Sequence, residues 1–208
     1  MDPQITTLPK LYPITDTRLS GLTHAEQVER LAAGGATLIQ LREKRATPRE
    51  FYEASLAAVK VARALGVRVI INDRVDIAVA VAADGVHLGQ DDLPPDRARR
   101  LLGPRALIGF STHNLKQALE ADSTSADYIA FGPLFATSTK ENPDPVVGLR
   151  SLAEIKSRVS KPLVAIGGIT LDRARSVIEA GADSLAVISD LYSTGEASER
   201  VAAFFKRI

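Results

Sequence analysis

The 208-residue chain contains no cysteine. That excludes a disulfide framework, a thiolate nucleophile and any Cys-ligated zinc or iron–sulfur centre, and it fits a reducing, cytoplasmic setting. A charge bias is also missing. The 26 Lys and Arg residues stand against 25 Asp and Glu, mixed along the chain, for a formal net charge of +1. No basic stripe therefore offers itself to nucleic acid or to an anionic membrane, and any anionic ligand must be met locally. Nowhere do ~20 consecutive apolar residues occur, as a spanning helix requires. The opening MDPQITTLPKLYPITD lacks a basic region followed by an apolar run, so neither membrane insertion nor export is expected. What is present is 45% hydrophobic and 25% charged, the composition of one folded domain able to bury its own core.

Short apolar runs of strand length occur at 11–15, 38–42, 67–71, 85–88, 107–110, 128–131, 163–166 and 185–188. They alternate with helical-period stretches at 24–33, 48–65, 75–82, 94–102, 115–121, 149–159, 171–180 and 196–206. Runs that are apolar on both faces suit buried parallel strands, and an unbroken strand–helix alternation predicts an α/β fold. Eight such units point to a single (β/α)8 TIM barrel over residues 1–208 rather than to an open doubly wound sheet, with residues 1–10 expected as a flexible N-terminal extension. Glycine precedes several strands (Gly35, Gly66, Gly103, Gly181), marking tight returns from helix to strand. Weak repeats such as AAGGA, VAADG and EAGAD are one βα unit recurring. The connection from Gly132 to Gly148 departs from this economy: GPLFATSTKENPDPVVG has no helical or strand period, and loops of this length in compact domains are usually functional.

In a barrel the active site lies at the C-terminal ends of the strands, so the polar residues there are the candidates. After the second strand, alternation lets Gln40, Arg42 and Lys44 face one way while Leu41 packs outward. The three form either a desolvated anion site or a solvated loop; the cost of burying an unpaired charge within a strand favours the anion site. Asn72-Asp73-Arg74 ends the third strand, and Gly89-Gln90-Asp91-Asp92 follows the fourth. Asp73 and Asp92 are either paired ligands for Mg²⁺, which keeps several waters and takes phosphate oxygens, or helix N-caps. Ser111 and His113 end the fifth strand on one face; without a G-x-S-x-G elbow or a third member they read as polar lining rather than a hydrolase pair. His87 reads as a core histidine. Thr137, Ser138, Thr139 and Lys140 in the long loop suit phosphate, although Ser and Thr also serve turns. Gly167-Gly168 after strand seven and Ser189 after strand eight occupy positions where barrels often bind phosphate.

Taken in order, QLREK at 40–44, NDR at 72–74, DGVHLGQDD at 84–92, GFSTH at 109–113, GPLFATSTK at 132–140, IGGI at 166–169 and VIS at 187–189 resemble the thiamine-phosphate synthase family over essentially the whole chain. The resemblance implies a Mg²⁺-dependent transferase of thiamine biosynthesis. Such an enzyme joins 4-amino-5-hydroxymethyl-2-methylpyrimidine diphosphate to a thiazole phosphate, giving thiamine phosphate and pyrophosphate. It further implies that Gln40, Arg42, Lys44, Asn72 and Lys140 contact the pyrimidine diphosphate, with Arg42, Lys44, Lys140 and Ser111 carrying catalysis. Asp73 and Asp92 would hold the metal, and Ser111 would lie at the pyrimidine. Thr137, Ser138, Thr139, Gly168, Ile188 and Ser189 would receive the thiazole phosphate. The partners expected are these small molecules, with neither nucleic acid nor membrane and with a homo-oligomer open. A thiazole tautomerase using a group such as His113, or a non-catalytic thiazole-phosphate binding protein, are the alternatives.

Overall fold

The computed structural model describes residues 8–137, 144–193 and 195–208. Strands and helices alternate as β1 (Leu11–Pro13), α1 (Thr17–Ser20), α2 (His24–Ala33), β2 (Leu38–Leu41), α3 (Pro48–Ala64), β3 (Arg68–Asn72), α4 (Val75–Ala80), β4 (Gly85–Leu88) and α5 (Pro95–Leu102). The second half runs β5 (Leu107–Thr112), α6 (Leu115–Asp122), β6 (Tyr128–Phe131), α7 (Gly148–Lys156), β7 (Leu163–Ile166), α8 (Leu171–Glu179), β8 (Ser184–Val187), a 3-10 turn at Ser189–Tyr192 and α9 (Ala197–Arg207). All strand pairings are parallel, in the ring order β1-β8-β7-β6-β5-β4-β3-β2. A single parallel bridge between Ile14 and Gln40 brings β1 to β2 and closes the ring. The (β/α)8 barrel expected from the alternation is the architecture observed.

Local chemistry explains where elements start. Thr23 and Thr47 each accept the backbone N–H three residues on, while Glu26 and Glu50 reach back to the Thr backbone N–H, forming capping boxes for α2 and α3. Pro48 occupies the first turn of α3, where its missing N–H costs nothing. The returns use glycine in left-handed conformations, as at Gly66 (φ +69°) and Gly181 (φ +107°), which side chains rarely adopt.

The recurring Ala-Asp and Ala-Gly-Ala-Asp segments have a structural counterpart. Asp84, Asp127 and Asp183 stand immediately before β4, β6 and β8. Each carboxylate accepts the backbone N–H of a residue on the preceding strand: Val69 at 2.7 Å, Ile108 at 2.6 Å and Leu163 at 2.7 Å. These clips join neighbouring strands at the end of the barrel away from the strand C-termini.

Two apolar layers result. Leu11, Ile39, Leu41, Ile71, Val86, Ile129 and Leu185 face the helices, where Val28, Phe51, Ala98, Leu152, Val177 and Phe204 cover them. Inside the barrel, Tyr12, Ile14, Leu38, Ile70, Leu107, Tyr128, Val164 and Ala186 pack against one another. The strands are not apolar on both faces as the sequence suggested. Towards their C-terminal ends the inward positions carry Gln40, Asn72, His87 and Ser111, which is where the barrel opens into a cavity. Leu8 packs against the inner layer and the Lys10 carbonyl accepts Leu185 N–H. The last part of the segment expected as a flexible extension therefore enters β1 already anchored, and residues 1–7 lie outside those described.

Candidate active site

The cavity at the strand C-termini has a volume of about 470 Å³, within the range of small-molecule sites. Its wall brings together Gln40, Arg42 and Lys44 from β2 and its loop, Asn72 and Asp73 after β3, Asp92 after β4, and Ser111 from β5. Thr137, Gly168, Ile188 and Ser189 line the same cavity. Ser138, Thr139 and Lys140 lie outside the described residues. A second depression, about 540 Å³ between α2 and α3, is lined mainly by residues such as Ala32, Ala36, Val61 and Val67 and gathers few polar groups.

Gln40 and Asn72 are buried, and Asn72 Nδ2 has no hydrogen-bond partner among the described residues. A buried donor left unpaired at a cavity wall is costly unless a ligand acceptor meets it. Arg42 is mostly buried, with one guanidinium nitrogen 3.7 Å from Asp16 Oδ2, and its backbone N–H is received by Thr15 Oγ1 at 3.2 Å. The loop beyond it is wound around Glu43. Glu43 Oε1 accepts the backbone N–H groups of Lys44 at 2.8 Å and Arg45 at 2.9 Å, and Oε2 accepts the Thr17 hydroxyl at 3.1 Å. Burial pushes the Glu43 carboxyl upward, but these hydrogen bonds outweigh it and hold the group below the ordinary carboxylate range. Sequence reading passed over Asp16, Thr15 and Glu43. Their signal is only that each neighbours a cavity residue in the chain or across the β1–β2 bridge.

Lys44 Nζ pairs with Asp73 Oδ2. Asp92 Oδ2 accepts the Gly89 N–H at 2.7 Å. Neither carboxylate caps a helix. The N-cap positions of α4 and α5 are Arg74 and Pro94, without side-chain capping bonds, so the capping alternative for Asp73 and Asp92 is set aside. Asp73 adopts φ +63°, a left-handed conformation uncommon for a residue with a Cβ, and its N–H is bonded to the His87 carbonyl. Burial, and then the negative charge of Asp73, push the Asp92 carboxyl above its ordinary value. The two facing carboxylates share one ammonium, that of Lys44. Among the described residues no group of three or more acidic, imidazole or thiol side chains is assembled. The two carboxylates are oxygen donors of the kind a hard cation takes, the rest of its shell being water and ligand oxygens.

The Ser111–His113 pairing considered from sequence does not form. Ser111 Oγ lies 2.8 Å from His87 Nε2, on the adjacent strand, while His113 Nδ1 is 2.7 Å from the Gly132 carbonyl and His113 Nε2 is 3.6 Å from Asp144. His87 is a buried histidine, as expected, and it also lines the cavity. Gly109 makes room for it: a Cβ there would fall 2.1 Å from the Tyr128 ring and 2.4 Å from His87 Nδ1. At the far pole Gly167 and Gly168 have φ +97° and +63°, and a Cβ at Gly168 would lie 2.5 Å from the Ala136 carbonyl oxygen. This close approach holds the start of the long loop against the end of β7, where Leu134 N–H and Phe135 N–H are received by Ile166 and Gly167. Arg173 braces the turn, donating to the Gly168 carbonyl at 2.8 Å and lying over the Phe135 ring.

A family profile described as thiamine monophosphate synthase matches residues 11–191. The chain belongs to this family. It is 50% identical over 193 residues to the thiamine-phosphate synthase of Koribacter versatilis, covering 88% of this chain and 89% of that one. It is 49% identical over 181 residues to that of Chloroflexus aurantiacus, covering 86% and 83%. Among solved structures, the thiamine phosphate pyrophosphorylase of Pyrococcus furiosus superposes with a TM-score of 0.85 at 40% identity, covering 95% of this chain and 94% of that one. Among the described residues no helix is long and apolar enough to cross a membrane.

The two buried histidines, His24 and His87, make a prediction about stability. Burial lowers the pKa of His24 despite the opposing charges of Glu43 and Asp16, and it lowers that of His87 to about 4, with Asp73 opposing and Lys44 reinforcing. In the unfolded chain these imidazoles take up protons near pH ~6.5. Below that pH the unfolded state binds more protons than the folded one, so stability is lost as pH falls from ~6.5 towards ~4. Denaturant midpoints should drop between pH ~7.5 and ~5, and His24→Gln should reduce the drop. Equal midpoints would show that neither imidazole is held neutral.

Proposed function

We propose that this chain joins 4-amino-5-hydroxymethyl-2-methylpyrimidine diphosphate to a thiazole phosphate, releasing pyrophosphate and forming thiamine phosphate. The observation that carries the reading is the single cavity in which cations, paired carboxylates and an unpartnered amide donor converge, in a chain whose family relatives bear that name. The electron pair of the breaking C–O bond leaves with the diphosphate, and the methylene cation that remains is stabilised by the electron-rich aminopyrimidine. The thiazole nitrogen then supplies the pair for the new C–N bond. No nucleophilic side chain and no general base is required.

Each group has a role in that sequence. Arg42, Lys44 and Lys140 neutralise charge as it gathers on the departing diphosphate, where it is larger than in the ground state. Asn72 Nδ2 offers its free donor to a diphosphate oxygen, and Gln40 and Ser111 orient the ring. Thr137, Ser138, Thr139, Gly168, Ile188 and Ser189 hold the thiazole phosphate, so that the nitrogen faces the cation at high effective concentration. Asp73 and Asp92 would hold Mg²⁺, which supplies further neutralisation of the diphosphate when bound.

The test is pyrophosphate release with both substrates present, with and without Mg²⁺, together with detection of thiamine phosphate. Release that requires both substrates and the metal supports the reading. Conversion of a thiazole phosphate alone, or ligand binding without release, would replace it with the tautomerase or the binding protein.

A further inference from the structure

The barrel floor holds a chain of hydrogen-bonding side chains more ordered than a polar lining requires. Gln40 Nε2 lies 3.1 Å from the Tyr12 hydroxyl, and the Tyr12 and Tyr128 oxygens are 3.0 Å apart. The Tyr128 hydroxyl is 3.0 Å from His87 Nδ1, and His87 Nε2 is 2.8 Å from Ser111 Oγ. Four of the five side chains are buried; Tyr12 and Tyr128 lie beneath the cavity, while Gln40, His87 and Ser111 reach its lining.

With the Gln40 amide nitrogen facing Tyr12, the protons in this chain have one consistent arrangement. An amide nitrogen only donates, so Gln40 fills an acceptor position on Tyr12. Tyr12 then gives its single proton to Tyr128, and Tyr128 gives its own to Nδ1 of His87, which must carry a lone pair. The imidazole proton sits on Nε2 and is donated to Ser111 Oγ. The Ser111 proton has no place within the chain and is left for the ligand. In the opposite direction Ser111 would donate to Nε2, and Nδ1–H to Tyr128. Tyr128 would then donate to Tyr12, where it would meet the Gln40 N–H arriving from the other side. The buried Tyr12 proton would be left with no acceptor in the chain, the arrangement that folded proteins avoid.

We propose that this one-way chain, started by the Gln40 amide, fixes His87 as its Nε2–H tautomer and commits the Ser111 hydroxyl to donate to an unprotonated ring nitrogen of the bound heteroaromatic substrate. His87 and Tyr128 are thereby positioning residues for the ring. The direction of the chain is a property of the protein alone; only the identity of the ring rests on the synthase reading. The arrangement is also a specificity device. A ring presenting C–H in place of the facing nitrogen leaves the Ser111 proton unpaired and is rejected, as sites built around a hydrogen bond reject analogues that lack it.

Nitrogen-15 spectra of the intact, ligand-free protein labelled at histidine read the proton position directly, and the three histidines are told apart with His24→Gln and His113→Asn samples. Wild-type His87 is expected as the Nε2–H tautomer. Gln40→Glu offers Tyr12 a carboxylate acceptor of nearly the same shape, so the chain reverses and His87 becomes the Nδ1–H tautomer. Tyr128→Phe leaves Gln40 and Ser111 in place and should raise KM for the pyrimidine diphosphate roughly tenfold while KM for the thiazole phosphate stays within about twofold. A wild-type Nδ1–H tautomer, or Nε2–H persisting in Gln40→Glu, overturns the proposal, and so does an unchanged pyrimidine KM in a folded Tyr128→Phe. Because the spectra need no substrate, a wild-type protein without synthase turnover would count against the proposed function, whereas a wrong tautomer counts against the chain.

Discussion

Replacing Arg42 with Ala is expected to lower turnover at least ~100-fold while the circular dichroism spectrum stays that of the wild type, a loss of about 2.7 kcal/mol of transition-state stabilisation. The guanidinium is mostly buried at the cavity wall and is held 3.7 Å from Asp16, so its field on a bound diphosphate is weakly screened. The charge it meets grows as the C–O bond breaks. The loss should therefore appear mainly in kcat rather than in KM. Arg42→Lys should recover only part of it, because an ammonium cannot reproduce the planar fork that grips two phosphate oxygens. Asp16→Asn, which removes the anchor but leaves the cation, should cost less than either. Steady-state rates of pyrophosphate release decide the matter; near-normal kcat in a folded Arg42→Ala would remove this residue from the leaving-group site.

The barrel and most of its elements were legible because their signals are local and repeated. Thr23 with Glu26 and Thr47 with Glu50 announce their helices within four residues, and each buried strand is a short apolar run. The elements passed over, α1 at Thr17–Ser20 and the 3-10 turn at Ser189–Tyr192, are single turns, too short to show a period. The 3-10 turn is tied down instead by long-range contacts that no local pattern reveals: the Asp190 carboxylate accepts from Arg200 Nε at 3.0 Å, from Arg200 Nη2 at 2.8 and 2.9 Å, and from the Leu171 N–H at 3.0 Å.

The site was legible where side-chain alternation carries it and obscure where neighbouring strands do. Gln40 faces the cavity because alternate strand residues share a side, whereas Arg42 and Lys44 reach it from the loop that follows β2 at Leu41. Ser111, by contrast, invited pairing with His113, two residues away in sequence, yet its partner is His87. Parallel pairing of β4 with β5 sets His87 against Gly109, so residues 24 positions apart meet while near neighbours diverge. Tyr12 and Tyr128 read as ordinary members of apolar strands, and nothing in either strand alone shows that their hydroxyls meet inside the barrel. A register is a relation between two segments, and a single sequence states it only indirectly.

Removing divalent cations by chelation should abolish pyrophosphate release, and Asp73→Asn should restore it only at Mg²⁺ concentrations at least ~10-fold above those the wild type needs. The substitution is chosen for its backbone. Asp73 sits at φ +63°, a conformation that Asn tolerates better than most residues, so the change removes a charge while leaving the turn in place. Its effect on stability should be small. The side chain caps no helix, and its ion pair is with Lys44, whose ammonium is about half exposed; such pairs contribute ~1 kcal/mol or less. Deleting the charge also relieves Asp92, whose carboxyl the neighbouring Asp73 pushes upward. The melting temperature should thus hold or rise slightly while the metal titration moves, a combination that a structural role for Asp73 does not produce. Asp92→Asn should shift the same titration, because a site built from two carboxylates loses half its formal charge with either one. Thermal melts paired with Mg²⁺ titrations of turnover separate the outcomes: a lowered melting temperature with an unmoved titration, or full turnover in chelator, would show that these carboxylates shape the β3 and β4 loops and hold no metal.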